Sequence, residues 1–153
     1  MNTIGKGGAA IVVLLVEDNA GDVRLTQEAL REANRLIHLH VASDGVEAME
    51  FLRREGPHVH AARPDLILLD LNLPRMDGRE VLTLIKDDDN LKTIPTIILT
   101  TSSAEVDVMK SYQLQANCYL TKPVQLDAFE TVVRSINDFW LTKVKLPHQT
   151  PTG

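Results

Sequence analysis

The chain has 153 residues, a formal net charge of −5 and a pI near 5.5. That length is one ordinary domain, and such a chain buries roughly 68–70% of its unfolded surface, so no disulfide or structural metal is needed to hold it. The acidic balance argues against a nucleic-acid binder, which would carry a basic face, and the single cysteine, Cys118, excludes an internal disulfide and suits a reducing compartment.

Residues 1–10, "MNTIGKGGAA", read as a short Gly-rich flexible leader. Its glycines and Lys6 lack the spacing of a phosphate-cradling loop and precede a strand instead of following one. "IVVLLV" at 11–16 is a strand cut off by Glu17 and Asp18. Six apolar residues are too few for a membrane span or an export signal, so a cytoplasmic protein with no membrane contact is expected.

Further strands are expected at "IHLHVA" (37–42), "LILLD" (66–70), "TIILTT" (96–101) and "CYLT" (118–121). Between them apolar residues recur three or four positions apart: Val23/Leu30/Ala33, Val46/Met49/Leu52, Val81/Leu82/Ile85 and Val106/Met109/Tyr112. A last helix carries Leu126, Phe129, Val133, Ile136 and Trp140. Each set is expected to form one core-facing stripe. Five strands alternating with five helices predict an α/β, flavodoxin-like (βα)5 fold, a doubly wound parallel sheet in the order 2-1-3-4-5. The domain is expected over 11–142, with a surface loop at 54–64 and a tail at 143–153 too short for an effector domain.

In doubly wound sheets, ligands bind beyond the carboxyl ends of the strands where the strand order reverses. Here that point lies between strands 1 and 3. Strand 1 ends in "VEDNAGD", with Glu17 and Asp18, and strand 3 ends at Asp70. Strand 4 brings Thr100 and strand 5 brings Lys122. Two unit charges a few ångströms apart cost about 4 kcal/mol at an effective dielectric of 20, so these acids call for a cation. Mg²⁺ takes oxygen ligands and keeps several waters. Asp18 and Asp70 are the expected direct ligands, with Glu17 through water and the carbonyl of Asn72 as the third protein oxygen.

The acidic pair after strand 1, the run "LLDLNLPRMDG", the threonine after strand 4 and the Lys-Pro after strand 5 together resemble the receiver domain of two-component response regulators, over about 11–140. The resemblance implies a signalling module, not an enzyme: Asp70 takes a phosphoryl group from a phosphohistidine on a sensor histidine kinase, with Mg²⁺, while Lys122 neutralises charge. It implies a cis Lys122–Pro123 peptide, and a switch in which Thr100 bonds the phosphoryl group and Tyr119 turns inward, changing the surface of helix 4, strand 5 and helix 5. Ser102 would tune the lifetime of the acyl phosphate. The adjacent aromatics Phe139 and Trp140, the long loop and "NCYLTK" resemble single-domain regulators paired with phytochrome-type kinases, which implies a homodimer. Adjacent helical residues point about 100° apart, so one ring can fill the core while the other faces outward.

Plainer readings compete. The acids suit helix N-caps, Thr100 suits a strand, and Tyr119 can pack without signalling. His38 and His40, with His58 and His60, suggest zinc, but no fixed third and fourth ligands accompany them. Cys118 reads as an inert core thiol, and "KDDDNLK" at 86–92 as a solvated helix end. A phosphohydrolase of the haloacid-dehalogenase type would want a second Asp two residues after the nucleophile, where this chain has Asn72. An FMN binder would want hydroxyls and backbone donors where strand 1 is followed by acids.

Overall fold

A computed structural model of the chain describes residues 10–101 and 104–141. The expected tail, Ser102 and all but the last residue of the expected leader lie outside the described residues. The elements alternate as expected: β1 (Ile11–Val16), α1 (Ala20–Ala33), β2 (Ile37–Ala42), α2 (Gly45–Arg53), β3 (Leu66–Leu69), α3 (Gly78–Asp87), β4 (Thr96–Thr100), α4 (Glu105–Gln113), β5 (Cys118–Thr121) and α5 (Leu126–Ile136). A 3-10 turn at Gly56–His58 interrupts the long loop, and a π-helical turn, Asn137–Leu141, extends α5. The strands form one sheet in the order β2-β1-β3-β4-β5, every pair parallel. Asp70 and Thr101 lie one residue beyond their strands, a boundary shift within ordinary end effects.

Successive side chains of a strand point to opposite faces, and here both faces are covered. Leu14, Val16, Ile67, Leu69 and Ile98 pack on one side with α2 and α3. Val13, Leu15, Leu66, Leu68 and Ile97 pack on the other with α1 and α5. That is why β1 and β3 read as unbroken apolar runs and β4 is buried throughout, while edge strand β2 is only half-buried. Three of the connections after strands end in a side-chain cap: Asn19 accepts from Asp22 N, Asp44 from Glu47 N and Asp77 from Arg79 N.

Several local expectations are corrected. In α4, Met109 and Tyr112 are 58% and 50% exposed, so they form no core stripe; Ser111 is buried and Val108 half-buried instead. The inward stripe sits one position earlier, and just beyond the helix Ala116 is buried in the α2–α3 core with Leu114 packed against it. Val106 is outside the described side chains. Leu126, at the start of α5, is also exposed, at 57%. The 86–92 segment is more than a solvated end: Lys86 Nζ donates to Lys92 O, Ile94 O and Asn117 Oδ1 at 3.2, 3.3 and 3.4 Å, and Leu91 is buried. Cys118 is half-buried, and burial pushes its thiol up. Of the adjacent aromatics, Trp140 packs on the α1–α5 core and Phe139 is 55% exposed, one inward and one outward as their spacing requires.

Candidate functional site

Ladder bonds bring four strand ends together. Glu17 N donates to Ala42 O, Asp70 N to Val16 O at 3.1 Å and Lys122 N to Thr100 O at 2.7 Å. The chain must leave the sheet at each of these residues, so their side chains converge on the reversal between β1 and β3. Glu17, Asp70, Thr100 and Lys122 are all buried, while Asp18 and Asn72 are exposed at the mouth.

Asp70 lies at the centre. Its Oδ1 accepts from Thr100 Oγ1 at 2.7 Å and from Asn72 N at 3.0 Å, and its Oδ2 accepts from Lys122 Nζ at 2.9 Å. Lys122 also donates to Glu17 Oε1 and, at 2.9 Å, to Asp22 Oδ2. The other Glu17 oxygen accepts from Asn19 N at 3.1 Å. Burial pushes the Asp70 carboxyl up, but hydrogen bonds from Lys122, Thr100 and Asn72 outweigh it and hold it below the usual carboxylate range. Glu17 goes the other way. Burial dominates there, the Asp70 charge adds to it, and its carboxyl is pushed up to about 7 despite Lys122. Burial alone would lower the Lys122 ammonium, but the bonds to Glu17, Asp22 and Asp70 raise it. One ammonium thus serves three carboxylates, and the most enclosed of them holds a proton most readily.

Glu17, Asp18 and Asp70 each place a carboxylate oxygen within 4.8 Å of the others, the sole such group of possible metal ligands among the described residues. An all-oxygen donor set, with exposed Asp18 at the solvent side, fits a hard divalent cation that keeps waters. The histidines do not assemble this way. His40 and His58 instead flank Phe51, with ring centroids 5.2 and 5.5 Å away.

The implied cis Lys122–Pro123 peptide is corrected: no described peptide bond is cis. The lysine is aimed by its backbone bond to Thr100 and by its three carboxylate partners instead. Tyr119 is partly buried against the α2–α3 core. The residue that the sequence pattern missed is Asp22. Its position three after Asn19 looks like ordinary helix capping, which hides its ion pair with Lys122.

Two glycines bring the chain close enough to shape this pocket. A Cβ on Gly78 would meet Asp70 O at 2.1 Å and Leu71 Cα at 2.6 Å, and one on Gly45 would meet Met76 O at 2.2 Å. The "LPRMDG" loop is further tied down by Arg75, whose Nε and NH2 donate to Asp44 at 2.8 and 3.0 Å.

The family model for the response regulator receiver domain matches residues 13–134. The chain belongs to the response regulator receiver family. It is 50% identical over 136 residues to response regulator Rcp1 from Synechocystis sp., covering 89% of this chain and 92% of that protein. The crystal structure of the Mn²⁺-bound form of Rcp1 matches with a TM-score of 0.87 at 50% identity, covering 90% of this chain and 99% of that one. That of the phosphorylated cyanobacterial phytochrome response regulator RcpA matches with a TM-score of 0.89 at 50% identity, covering 91% and 99%. No described helix of this receiver is long and apolar enough to cross a membrane.

Proposed function

We propose that this receiver accepts a phosphoryl group on Asp70 from the phosphohistidine of a sensor histidine kinase. The observation that carries the reading is the buried Asp70 carboxylate, held by Lys122 and Thr100 beside two further acids at the sheet's reversal point. In the transfer, an Asp70 oxygen forms a bond to phosphorus as the phosphorus–nitrogen bond breaks, and the electron pair leaves with the imidazole. Asp70 is suited to attack because its hydrogen bonds keep it ionised. Asp18 and Asp70 directly, Glu17 through water and the Asn72 carbonyl would hold Mg²⁺, which when bound neutralises charge on the transferring group. Lys122 supplies the protein's own positive charge there.

The phosphoryl group adds close to two negative charges and three acceptor oxygens. Thr100 can turn its hydroxyl from Asp70 to one of them, drawing the end of β4 inward, and Tyr119 follows from the neighbouring strand. The altered surface is α4, β5 and α5, where Met109, Tyr112, Leu126 and Phe139 are exposed. A homodimer through the C-terminal aromatics is the output we favour, with 11–142 as the receiver unit and the cytoplasm as its location. Likeness to Rcp1 and RcpA supports a phytochrome-type photoreceptor kinase as the phosphoryl donor.

Acetyl phosphate with Mg²⁺ is expected to label the protein at one site, and Asp70→Asn to abolish the label while leaving circular dichroism unchanged. Stoichiometric labelling of Asp70→Asn would overturn the assignment. Sedimentation with and without beryllofluoride tests the dimer, which a concentration-independent monomer in both states would refute.

A further inference from the structure

Asp22 lies outside the three acids close enough to share a cation, yet its Oδ2 accepts from Lys122 Nζ at 2.9 Å, the same distance as Asp70 Oδ2. Its place in α1 suggests another task. An acid three residues after an N-cap ordinarily reaches back to the cap's own N–H. Here the Asn19 N–H is already taken by Glu17 Oε2. The Asp22 main chain is satisfied too, its N–H by Asn19 Oδ1 at 2.9 Å and its carbonyl by Thr26 Oγ1 at 2.7 Å. The carboxylate is therefore free to cross to the link after β5, 100 positions along the chain.

An ammonium has three N–H donors, and those of Lys122 are shared among Glu17, Asp22 and Asp70. On the receiver reading, on which this inference rests, two of the three acceptors change employment. Glu17 belongs to the cation cluster, and Asp70 gives an oxygen to phosphorus. Asp22 alone keeps its bond. We infer that Asp22 is a positioning residue that holds the Lys122 ammonium beside Asp70 while the other two carboxylates take up the cation and the phosphoryl group.

The direction of the effect follows from the geometry. A single Nζ position satisfies both Asp22 and Asp70, so the bond to Asp22 does not draw the ammonium off the reaction centre. Lysine is a point charge on a flexible four-carbon stem. Without Asp22 the charge loses its fixed place at the moment its other partners are occupied. The Asp22 side chain is 26% exposed against 3% for Lys122, so a polar replacement there leaves the core packing alone.

The test uses Asp22→Asn, Asp22→Ala and Asp22→Glu in the full chain. In the cation-free protein, NMR of the Lys122 ammonium is expected to show faster hydrogen exchange in the Asn and Ala variants than in wild type. With saturating Mg²⁺, acetyl phosphate labelling of both is expected to slow by about tenfold, with Mg²⁺ affinity unchanged and the rate partly restored in Asp22→Glu. Unchanged ammonium exchange overturns the proposal, as does labelling as fast as wild type. A loss of Mg²⁺ affinity matching the loss of rate also overturns it, because Asp22 would then be a cation ligand. Wild-type protein that takes no label would defeat the receiver reading itself, and Asp22's part in it. A labelled wild type with an equally labelled Asp22→Asn would defeat only this inference.

Discussion

Gly78→Ala sets two general rules against each other. Alanine inside a helix is favoured over glycine by about 1 kcal/mol, and Gly78 is the first residue of α3. Its Gly φ is not positive, so backbone conformation alone raises no objection. The new methyl would nevertheless lie 2.1 Å from Asp70 O, 2.6 Å from Leu71 Cα and 3.0 Å from Asp70 C. Ordinary non-bonded contact is roughly 3.5–4.0 Å, and all three atoms are backbone, so no rotamer change relieves the overlap. Overpacking of this kind costs about 1–3 kcal/mol and occasionally more. The upper end applies here, and the small helical gain does not offset it. We expect a net loss of about 2 kcal/mol, or a fall in Tm of about 4–8 °C at this chain length. Because the displaced backbone is that of Asp70, acetyl phosphate labelling should slow as well. Urea and thermal unfolding of wild type and Gly78→Ala, with labelling rates beside them, measure both effects. A variant as stable as wild type or more so would refute the argument that this glycine is required by close approach.

Mg²⁺ binding at this cluster is expected to depend on pH through Glu17: with its carboxyl pushed up to about 7, a cation would have to displace its proton below that pH. Affinity measured by calorimetry should weaken by up to about tenfold per pH unit below 7 and level off above it, and Glu17→Gln should remove the slope. The same raised carboxyl binds its proton more tightly in the folded state, so its contribution to cation-free stability is full below the ordinary value of 4.5 and is lost as pH rises through about 7. Thr100→Val removes one of the three hydrogen bonds to Asp70; the Asp70 carboxyl should titrate at higher pH by ¹³C NMR, and Tyr119 resonances should no longer shift on beryllofluoride addition. Asp44→Ala loses both the α2 cap and the bidentate bond to Arg75, and urea unfolding should show a loss of about 1–3 kcal/mol. Arg75 holds the Asp44 carboxyl below the usual range, with burial opposing. That stability is present above the unfolded value and is lost as pH falls through the folded one.

The sequence by itself determined the sheet and the chemistry at its edge. Runs such as Leu66–Leu69, apolar at every position, can only be covered on both faces, and their alternation with amphipathic stretches leaves the doubly wound order as the natural solution. Once that order is set, Glu17, Asp70, Thr100 and Lys122 must meet, because Thr100 ends its strand and the other three each follow the end of theirs. Tertiary packing decided what periodicity cannot see. In α4, Ser111 is buried while Met109 and Tyr112 turn outward, a rotation that the spacing of apolar residues does not report. Lys86 found carbonyls in a loop that folds back on it. Asp22 found Lys122 because Glu17 had already occupied the Asn19 N–H, a competition between residues 105 and 100 positions from the lysine. Local pattern reports which face of an element is apolar; which partner a polar group meets is set by what its neighbours in space have already bound.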